Sequence, residues 1–426
     1  MDRHDYVTRL IDGWLADLVA DVPGVLVVGP RGCGKTTSAA RHARTVLPLD
    51  RSNVHAAVVA DPDAVLADAE APVLVDEWQL APVSLGAAKR LIDARPDPGR
   101  FLFAGSSGDE VGVDQWPGTG RFVRLPMWGL TEREIEGQTS GPTFVDHVIA
   151  IADAGLNPSQ GFALSRQRPD LAGYVERLLV SGFPEARVRT SERTRSAWLD
   201  SYIDHLVGRD VALIADVRDP VKLRRYLRAL AASTAGEPTT ETLVDASEIN
   251  RLTADRYDAL LERLFVTERV PAWSSNRLTR VSARPKRYVC DAAVAARLLG
   301  VDRRTILRDG DLLGRLVDTF AAAQLRPELR LGTLPASMFH IRTDGGRHEV
   351  DFVVERTDGR IVAFEVKANN TVDRSDARHL IWLHNQIADD RFAAGILLYT
   401  GEHIISLDER VWAVPLCALW SQRNSL

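Results

Sequence analysis

Cysteine is scarce in this chain of 426 residues: Cys33, Cys290 and Cys417 are the only three, far apart and in no metal-ligand pattern. That excludes a disulfide framework and a structural zinc site, and it suits a reducing compartment. Long apolar runs are also missing, since none approaches the ~20 residues that span a bilayer. The first 18 residues carry charges throughout and contain no apolar signal core, so the expectation is a cytoplasmic protein with no membrane partner. Charge of one sign is lacking too. A net charge of −5 means that the whole surface does not attract nucleic acid, and any basic face must be local. Internal repeats and low-complexity tracts are absent. What remains is an ordinary globular composition, 45% hydrophobic and 26% charged, in a chain too long for one core.

The first third alternates apolar runs with helical patterns. Buried strands are expected at 22–30 (VPGVLVVGP), near 46–50, at 72–77 (PVLVDE) and at 100–107 (RFLFAGSS), with helices at 36–47, 63–69 and 85–94 between them. Strands apolar on both faces and separated by helices predict a parallel sheet covered on both sides. Residues 130–235 read as mostly helical, with a polar break at 137–143. Three helix patterns follow at 220–232, 239–248 and 253–265, then strands at 264–273 and 287–291, the order of a winged helix. The last segment opens with helices. It then reads as strands at 338–342, 349–355 and 361–367, a helix at 376–387 and a strand at 394–401.

Gly29-Pro30-Arg31-Gly32-Cys33-Gly34-Lys35-Thr36 is a complete G-x-x-x-x-G-K-[ST] loop between a buried strand and a helix, with Thr37 next in line. Glycines let backbone N–H groups wrap phosphates, and the helix N-terminus adds a positive dipole end. Lys35 is expected to neutralise β/γ-phosphates and Thr36 to ligate Mg²⁺, so ATP with Mg²⁺ is the expected ligand. Asp76 ends the apolar run 72–76 and would hold the Mg²⁺ shell, while Glu77 would polarise the attacking water. Ser106 or Ser107, at the end of the third strand, is either a polar contact to the γ-phosphate or a turn serine. Gly120-Arg121 before FVRLPM offers Arg121 as an arginine finger or as a solvated surface residue.

Two other patterns carry chemistry. Asp351 lies in EVDFVVE, and after a turn at Asp358-Gly359 comes Glu365-Val366-Lys367. Strand periodicity puts Glu365 and Lys367 on one face, and a hairpin brings Asp351 opposite them. Such a set can bind Mg²⁺ or Mn²⁺ through Asp351 and Glu365, with Lys367 activating a water that attacks phosphate. It is equally an everyday strand pattern of solvated charge. The stretch 269–290 holds no acidic residue but has Arg269, Arg277, Arg280, Arg284, Lys286 and Arg287, with Trp273 and Tyr288 interleaved. In a winged helix that ribbon would follow the DNA backbone with little sequence preference, or it would pack between domains.

These segments together resemble a widespread prokaryotic family of AAA-type ATPases whose C-terminal domain of unknown function is similar to the PD-(D/E)XK nuclease fold. The resemblance runs nearly end to end. It is carried by GPRGCGKTT, LVDEWQ, LFAGSS and Gly120-Arg121, then SGFPE (181–185), YIDHLVGRD (202–210) and RPKRYVCD (284–291). It ends in GRLVDTF (314–320), HEVDFVVE (348–355) and FEVKA (364–368). The resemblance implies an α/β chain in four parts: a P-loop AAA-type parallel-sheet domain (1–138), a helical linker region (139–215), a winged-helix-like domain (216–290) and a restriction-endonuclease-like α/β domain (291–426). It implies a homo-oligomer in which Arg121 acts in trans, and roles linked to DNA. It also adds Asp318 as a fourth member of that set and a further metal ligand, at a position where nucleases of this kind usually place the longer glutamate. The leading expectation is an ATPase coupled to possible metal-dependent DNA cleavage. The alternative is an ATP-driven switch whose C-terminal domain binds nucleic acid or protein without cutting.

Overall fold

The computed structural model describes residues 6–105, 120–164, 168–210, 219–343, 346–388 and 390–423. Its first sheet has five parallel strands, β1 (Gly24–Val28), β2 (Thr45–Pro48), β3 (Val73–Asp76), β4 (Phe101–Gly105) and β5 (Val123–Pro126), in the order β2-β3-β4-β1-β5. The central strands β1, β3 and β4 are buried along their whole length, as their unbroken apolar runs require. One face packs on the sheet's own helices through Leu26, Val28, Val75, Leu85 and Phe103. The other face, with Val25, Val27, Leu102 and Ala104, enters a core shared with the rest of the chain. The helix expected over 36–47 stops early, at Lys35–Ala40, because Thr45–Pro48 is needed as the edge strand β2. A helix at Ser52–Ala60 has no counterpart in the sequence pattern.

The middle of the chain is not a tether. Helix Phe144–Asp153 packs on the C-terminal sheet, with Phe144 and Phe364 ring centroids 6.1 Å apart and Asp146 paired with Arg356 at 3.1 Å. The helices described between 144 and 205 are therefore packed elements, because their apolar faces enter the shared core. Helices Pro220–Ala232, Thr240–Ser247 and Arg251–Arg263 follow, each begun by a capping side chain (Asp219, Thr239, Asn250) that accepts from the first turn. They lead to an antiparallel ribbon of β6 (Thr267–Val270) and β7 (Lys286–Val289), whose connection holds a short helix, Arg277–Ser282. Gly236, between the first two helices, bridges to Arg287 on the ribbon.

The C-terminal sheet is mixed and six-stranded: β8 (Ala336–Arg342), β9 (Glu349–Arg356), β10 (Ile361–Lys367), β11 (Phe392–Tyr399), β12 (Ile405–Asp408) and β13 (Val411–Pro415), in the order β12-β13-β11-β10-β9-β8. β9 and β10 form the hairpin expected around Asp358-Gly359, with Phe352 opposite Phe364. Phe352, Val354, Phe364 and Ile396 face the shared core, and Val353, Ala363 and Leu397 face helix Arg378–Gln386 through Leu380 and Leu383. Among the described residues no helix is long and apolar enough to cross a membrane.

Candidate functional site: a phosphate loop and an acidic cluster

The loop after β1 turns on Gly29 (φ 155°), Gly32 (φ 77°) and Gly34 (φ 101°). At Gly29 any side chain is excluded outright, because a Cβ would fall 1.9 Å from the Met127 carbonyl oxygen. The loop delivers Lys35 and Thr36 to the first turn of helix Lys35–Ala40, at the carboxyl ends of the parallel strands. The buried Lys35 Nζ donates to the carbonyls of Gly29 (3.0 Å) and Pro30 (2.9 Å), which folds the loop round its own cation. Thr36 Oγ1 donates to Asp76 Oδ1 at 2.8 Å, so the helix start and the end of β3 meet as their motifs require. Burial raises the Asp76 carboxyl above its ordinary range, and the neighbouring Glu77 charge adds to this against the Thr36 hydrogen bond. A hydroxyl beside a carboxylate at a phosphate loop is a donor set that fits Mg²⁺.

Glu77 follows in the left-handed region (φ 52°), where its carboxylate is held by the Gln79 amide. Arg31, Gly32, Gly34, Lys35, Thr36, Thr37, Asp76 and Glu77 all line one cavity of about 440 Å³ that Tyr6, Pro184 and Val188 close from the other side. Cys33 is buried away from it, with Sγ 3.5 Å from the Met127 carbonyl, and its role is to seat the loop. Ser106 and Ser107 lie outside the described residues. Arg121 is elsewhere. It precedes β5 at the amino end of the sheet, its carbonyl oxygen 3.0 Å from where a Cβ on Gly24 would be, and its Nε donates to Asp93 Oδ1 at 2.7 Å. The phosphate loop is at the opposite end of β1, roughly 16 Å away at 3.3 Å per residue, so Arg121 cannot act on its own chain's nucleotide.

Two supports of the loop escape a reading of the sequence. Arg9, buried, donates from Nη1 to the Cys33 carbonyl (2.8 Å), from Nη2 to the Trp128 carbonyl (2.7 Å) and from Nε to Glu134 (2.9 Å). Glu134 in turn closes a capping box with Thr131, a signal visible as Thr131-x-x-Glu134. The second support is Asp291. Its Oδ2 accepts from the Gly182 N–H (2.8 Å) and the Ser181 hydroxyl (3.0 Å), and its Oδ1 caps helix Ala292–Leu299. It thereby fixes the 181–184 turn, from which Pro184 and Glu185 enter the nucleotide cavity.

At the C-terminal sheet Asp318, Asp351, Glu365 and Lys367 converge, around a lysine from outside that set. Lys286, expected on a DNA-facing ribbon, is buried among them and donates to Asp318 Oδ2 (2.6 Å) and Asp351 Oδ1 (2.8 Å). The other oxygen of Asp351 accepts from the Val366 N–H (2.8 Å), and Tyr288 donates to Asp318 Oδ1 (3.1 Å). Lys367 donates to Glu365 Oε1 (2.7 Å). Burial pushes the Asp318 carboxyl up to about 7 despite Lys286. Burial and the Asp351 charge push Glu365 up to about 8. Asp351 stays below its ordinary range because, against its burial, the Lys286 ammonium favours the charged form. Among the described residues no group of three or more His, Cys, Asp or Glu is placed to hold a metal ion. Asp318, Asp351 and Glu365, the expected Mg²⁺ or Mn²⁺ ligands, thus lie close together, and the cation between Asp318 and Asp351 in this structure is the chain's own Lys286 ammonium.

Several cations of the basic ribbon are likewise partnered within the chain. Arg269 donates to Asp258 (3.1 Å) and pairs with Glu262, Arg287 donates to Asp258 (2.6 Å), and Arg280 pairs with Glu355 beneath Trp273 and Phe339. Arg284 is exposed. The acidic residues that neutralise the ribbon come from helix Arg251–Arg263 and from β9, which a run free of acids conceals.

Comparison with known proteins matches three stretches of the chain. Residues 22–136 match the family model of an AAA domain. Residues 171–305 and 313–419 match two models described as domains of unknown function. Uncharacterized proteins of Mycobacterium tuberculosis and Mycobacterium bovis are each 29% identical over 399 residues, covering 92% of this chain and 80% of theirs. The Walker-type ATPase of Pyrococcus abyssi aligns at 12% identity with a TM-score of 0.42, over 70% of this chain and 97% of that one. With the loop geometry above and the match over 22–136, the N-terminal part of the chain is an AAA-type P-loop ATPase domain.

Proposed function

We propose that the chain is an ATP-driven switch that hydrolyses Mg²⁺·ATP in its N-terminal domain and whose C-terminal domain binds its target without cutting it. The Thr36–Asp76 contact at the mouth of the glycine loop supports the first half. Lys35 would exchange its bonds to the Gly29 and Pro30 carbonyls for phosphate oxygens, opening the loop as nucleotide enters. Thr36 and Asp76 would hold the Mg²⁺, which when bound offsets phosphate charge. Glu77, fixed by Gln79, would orient the attacking water and accept its proton. The working unit is a homo-oligomer in which Arg121 reaches a neighbour's γ-phosphate, a reading supported by its distance from the site in its own chain.

The observation that carries the second half is Lys286 lodged between Asp318 and Asp351. An ammonium at that point repels a divalent cation and removes the ligand pair that phosphodiester cleavage needs. Cleavage of DNA is the second reading, favoured by the convergence of Asp351, Glu365 and Lys367 at one end of β9 and β10. Purified full-length protein, given ATP, Mg²⁺ or Mn²⁺ and single-stranded, duplex and branched DNA, decides between them. Phosphate release without strand scission is expected. Scission that disappears in Asp351→Ala overturns the non-cutting reading.

A further inference from the structure

A cleft of about 460 Å³ opens where the three parts of the chain meet, between the edge strand β5, the base of β6 and the stretch that runs from Arg326 into β8. Four arginines line it, Arg124, Arg269, Arg326 and Arg330, against one carboxylate, Glu268. Arg269 is offset by Asp258 and Glu262, and Glu268 pairs with Arg326, while Arg330 is exposed at the rim. Arg326 is 5% exposed, and its Nη2 has no hydrogen-bond partner. A buried guanidinium N–H left without an acceptor is a standing demand for one.

The packing holds these cations in place. The Arg326 guanidinium lies 4.6 Å over the Trp128 ring and that of Arg124 lies 5.7 Å over Phe265, while the two rings meet edge to face at 5.4 Å. The remaining lining is apolar and includes Leu125, Val270, Leu329 and Met338. A ligand that fits has an apolar body and a compact anion. Planar guanidinium groups match phosphate oxygens in pairs, and the apolar wall takes a sugar and base. An acidic peptide added as a strand fits poorly. Pro126, Pro271 and Pro327 supply no N–H to the ladder such a peptide needs.

We propose that this cleft binds a phosphorylated nucleoside, as a free nucleotide or as one unit of a single-stranded nucleic acid, with the phosphate on Arg326 and the exposed Arg124 and Arg330 at its rim. The site is separate from the phosphate loop and does not depend on ATP hydrolysis there. It moves the nucleic-acid surface from the outer face of the ribbon, whose cations are largely internally paired, to the ribbon's base.

The test uses full-length Lys35→Ala protein, so that the phosphate loop does not contribute, with a fluorescein-labelled twelve-residue oligo(dT), a fluorescent AMP analogue and a labelled polyglutamate peptide read by anisotropy. Binding of oligo(dT) alone assigns the strand, and binding of AMP assigns the free nucleotide. Either should be competed by inorganic phosphate. Arg124→Glu with Arg330→Glu should weaken it at least tenfold while the melting temperature stays unchanged. For the strand, the slope of log K against log salt should shrink by about 0.7 for each phosphate that the variant no longer neutralises. Arg326→Met, if it folds, should weaken binding further. The proposal is overturned if neither phosphate probe binds, if the double variant binds as tightly as its parent, or if polyglutamate is the only ligand taken.

Discussion

Two strand ends in this molecule carry paired carboxylates, and they behave oppositely. At the end of β3, Asp76 accepts a hydrogen bond from the Thr36 hydroxyl on the wall of an open cavity, with Lys35 turned into the loop beside it. At the ends of β9 and β10, Asp351 and Glu365 face two lysines, one of them fully enclosed. The carboxylate pattern is much the same in both places. What differs is whether the chain has supplied its own cation. A carboxylate that has an acceptor-hungry neighbour and room is ready for a ligand, whereas one already bonded to ammonium is part of the scaffold.

The comparison is broken most severely at the first site. Lys35→Ala should abolish tight nucleotide binding, and Glu77→Gln should keep it while turnover falls by about 10²-fold or more, as calorimetry and phosphate release would record. Equal ATP affinity in Lys35→Ala and wild type would end the assignment.

At the second site, Lys286→Ala leaves Asp318 and Asp351 facing each other in a buried space. Breaking a buried pair in this way costs about 3–5 kcal/mol of stability in chemical denaturation. Mn²⁺ should restore part of that loss in the variant and do nothing for wild type. Equal stabilisation of both by Mn²⁺ would mean that the lysine does not hold the cation position.

The ribbon offers a milder test. Arg287→Glu places a third carboxylate beside Asp258 and Glu262 and should lower the melting temperature by several degrees. Arg284→Glu, at an exposed position, should leave it unchanged. Similar melting shifts for the two would show that Arg287 is solvated.

A last test of the second site is its pH dependence. Glu365 binds its proton more tightly in the folded chain (about 8) than when unfolded, near 4.3. Its contribution to stability is complete below the unfolded value, declines as pH rises from about 4.5 through 8, and is flat above. Glu365→Gln should remove that component of the slope. An identical pH profile for the two proteins would place the Glu365 carboxyl in the ordinary range.

Much of the first site is legible in the sequence because its parts are short-range or repetitive. The glycine loop is contiguous, and Asp76 reaches Thr36 because β3 and β1 belong to one parallel sheet, which their apolar runs already announce. The second site is legible only by half. The β9–β10 hairpin follows from alternation and from the turn at Asp358-Gly359, so Asp351 and Glu365 are where the pattern puts them. Lys286 is 32 residues from Asp318 and 65 from Asp351, and nothing local marks it as buried within a run of arginines that are mostly partnered at the surface. Arg9 is similar: Thr131-x-x-Glu134 announces a helix start, but not the guanidinium 125 residues earlier that completes it. Side chains whose neighbours are set by tertiary packing leave little mark in local pattern. Ser52–Ala60 is hidden for the reverse reason, being a short alanine-rich helix with only Val58 buried.

The six residues from Lys286 to Asp291 have one more consequence. The stretch spans roughly 16 Å as extended chain, and each end is anchored by buried charge, Lys286 among carboxylates and Asp291 on the 181–184 turn beside the nucleotide cavity. The two anchors differ in kind, since Lys286 is held in buried ion pairs while Asp291 is a buried carboxylate held by neutral N–H and O–H donors. The Gly182 N–H and the acidic cluster are therefore tied to the two ends of one short extended segment. β7 thus serves as a tie-rod between the turn that lines the nucleotide cavity and the carboxylates of the C-terminal sheet.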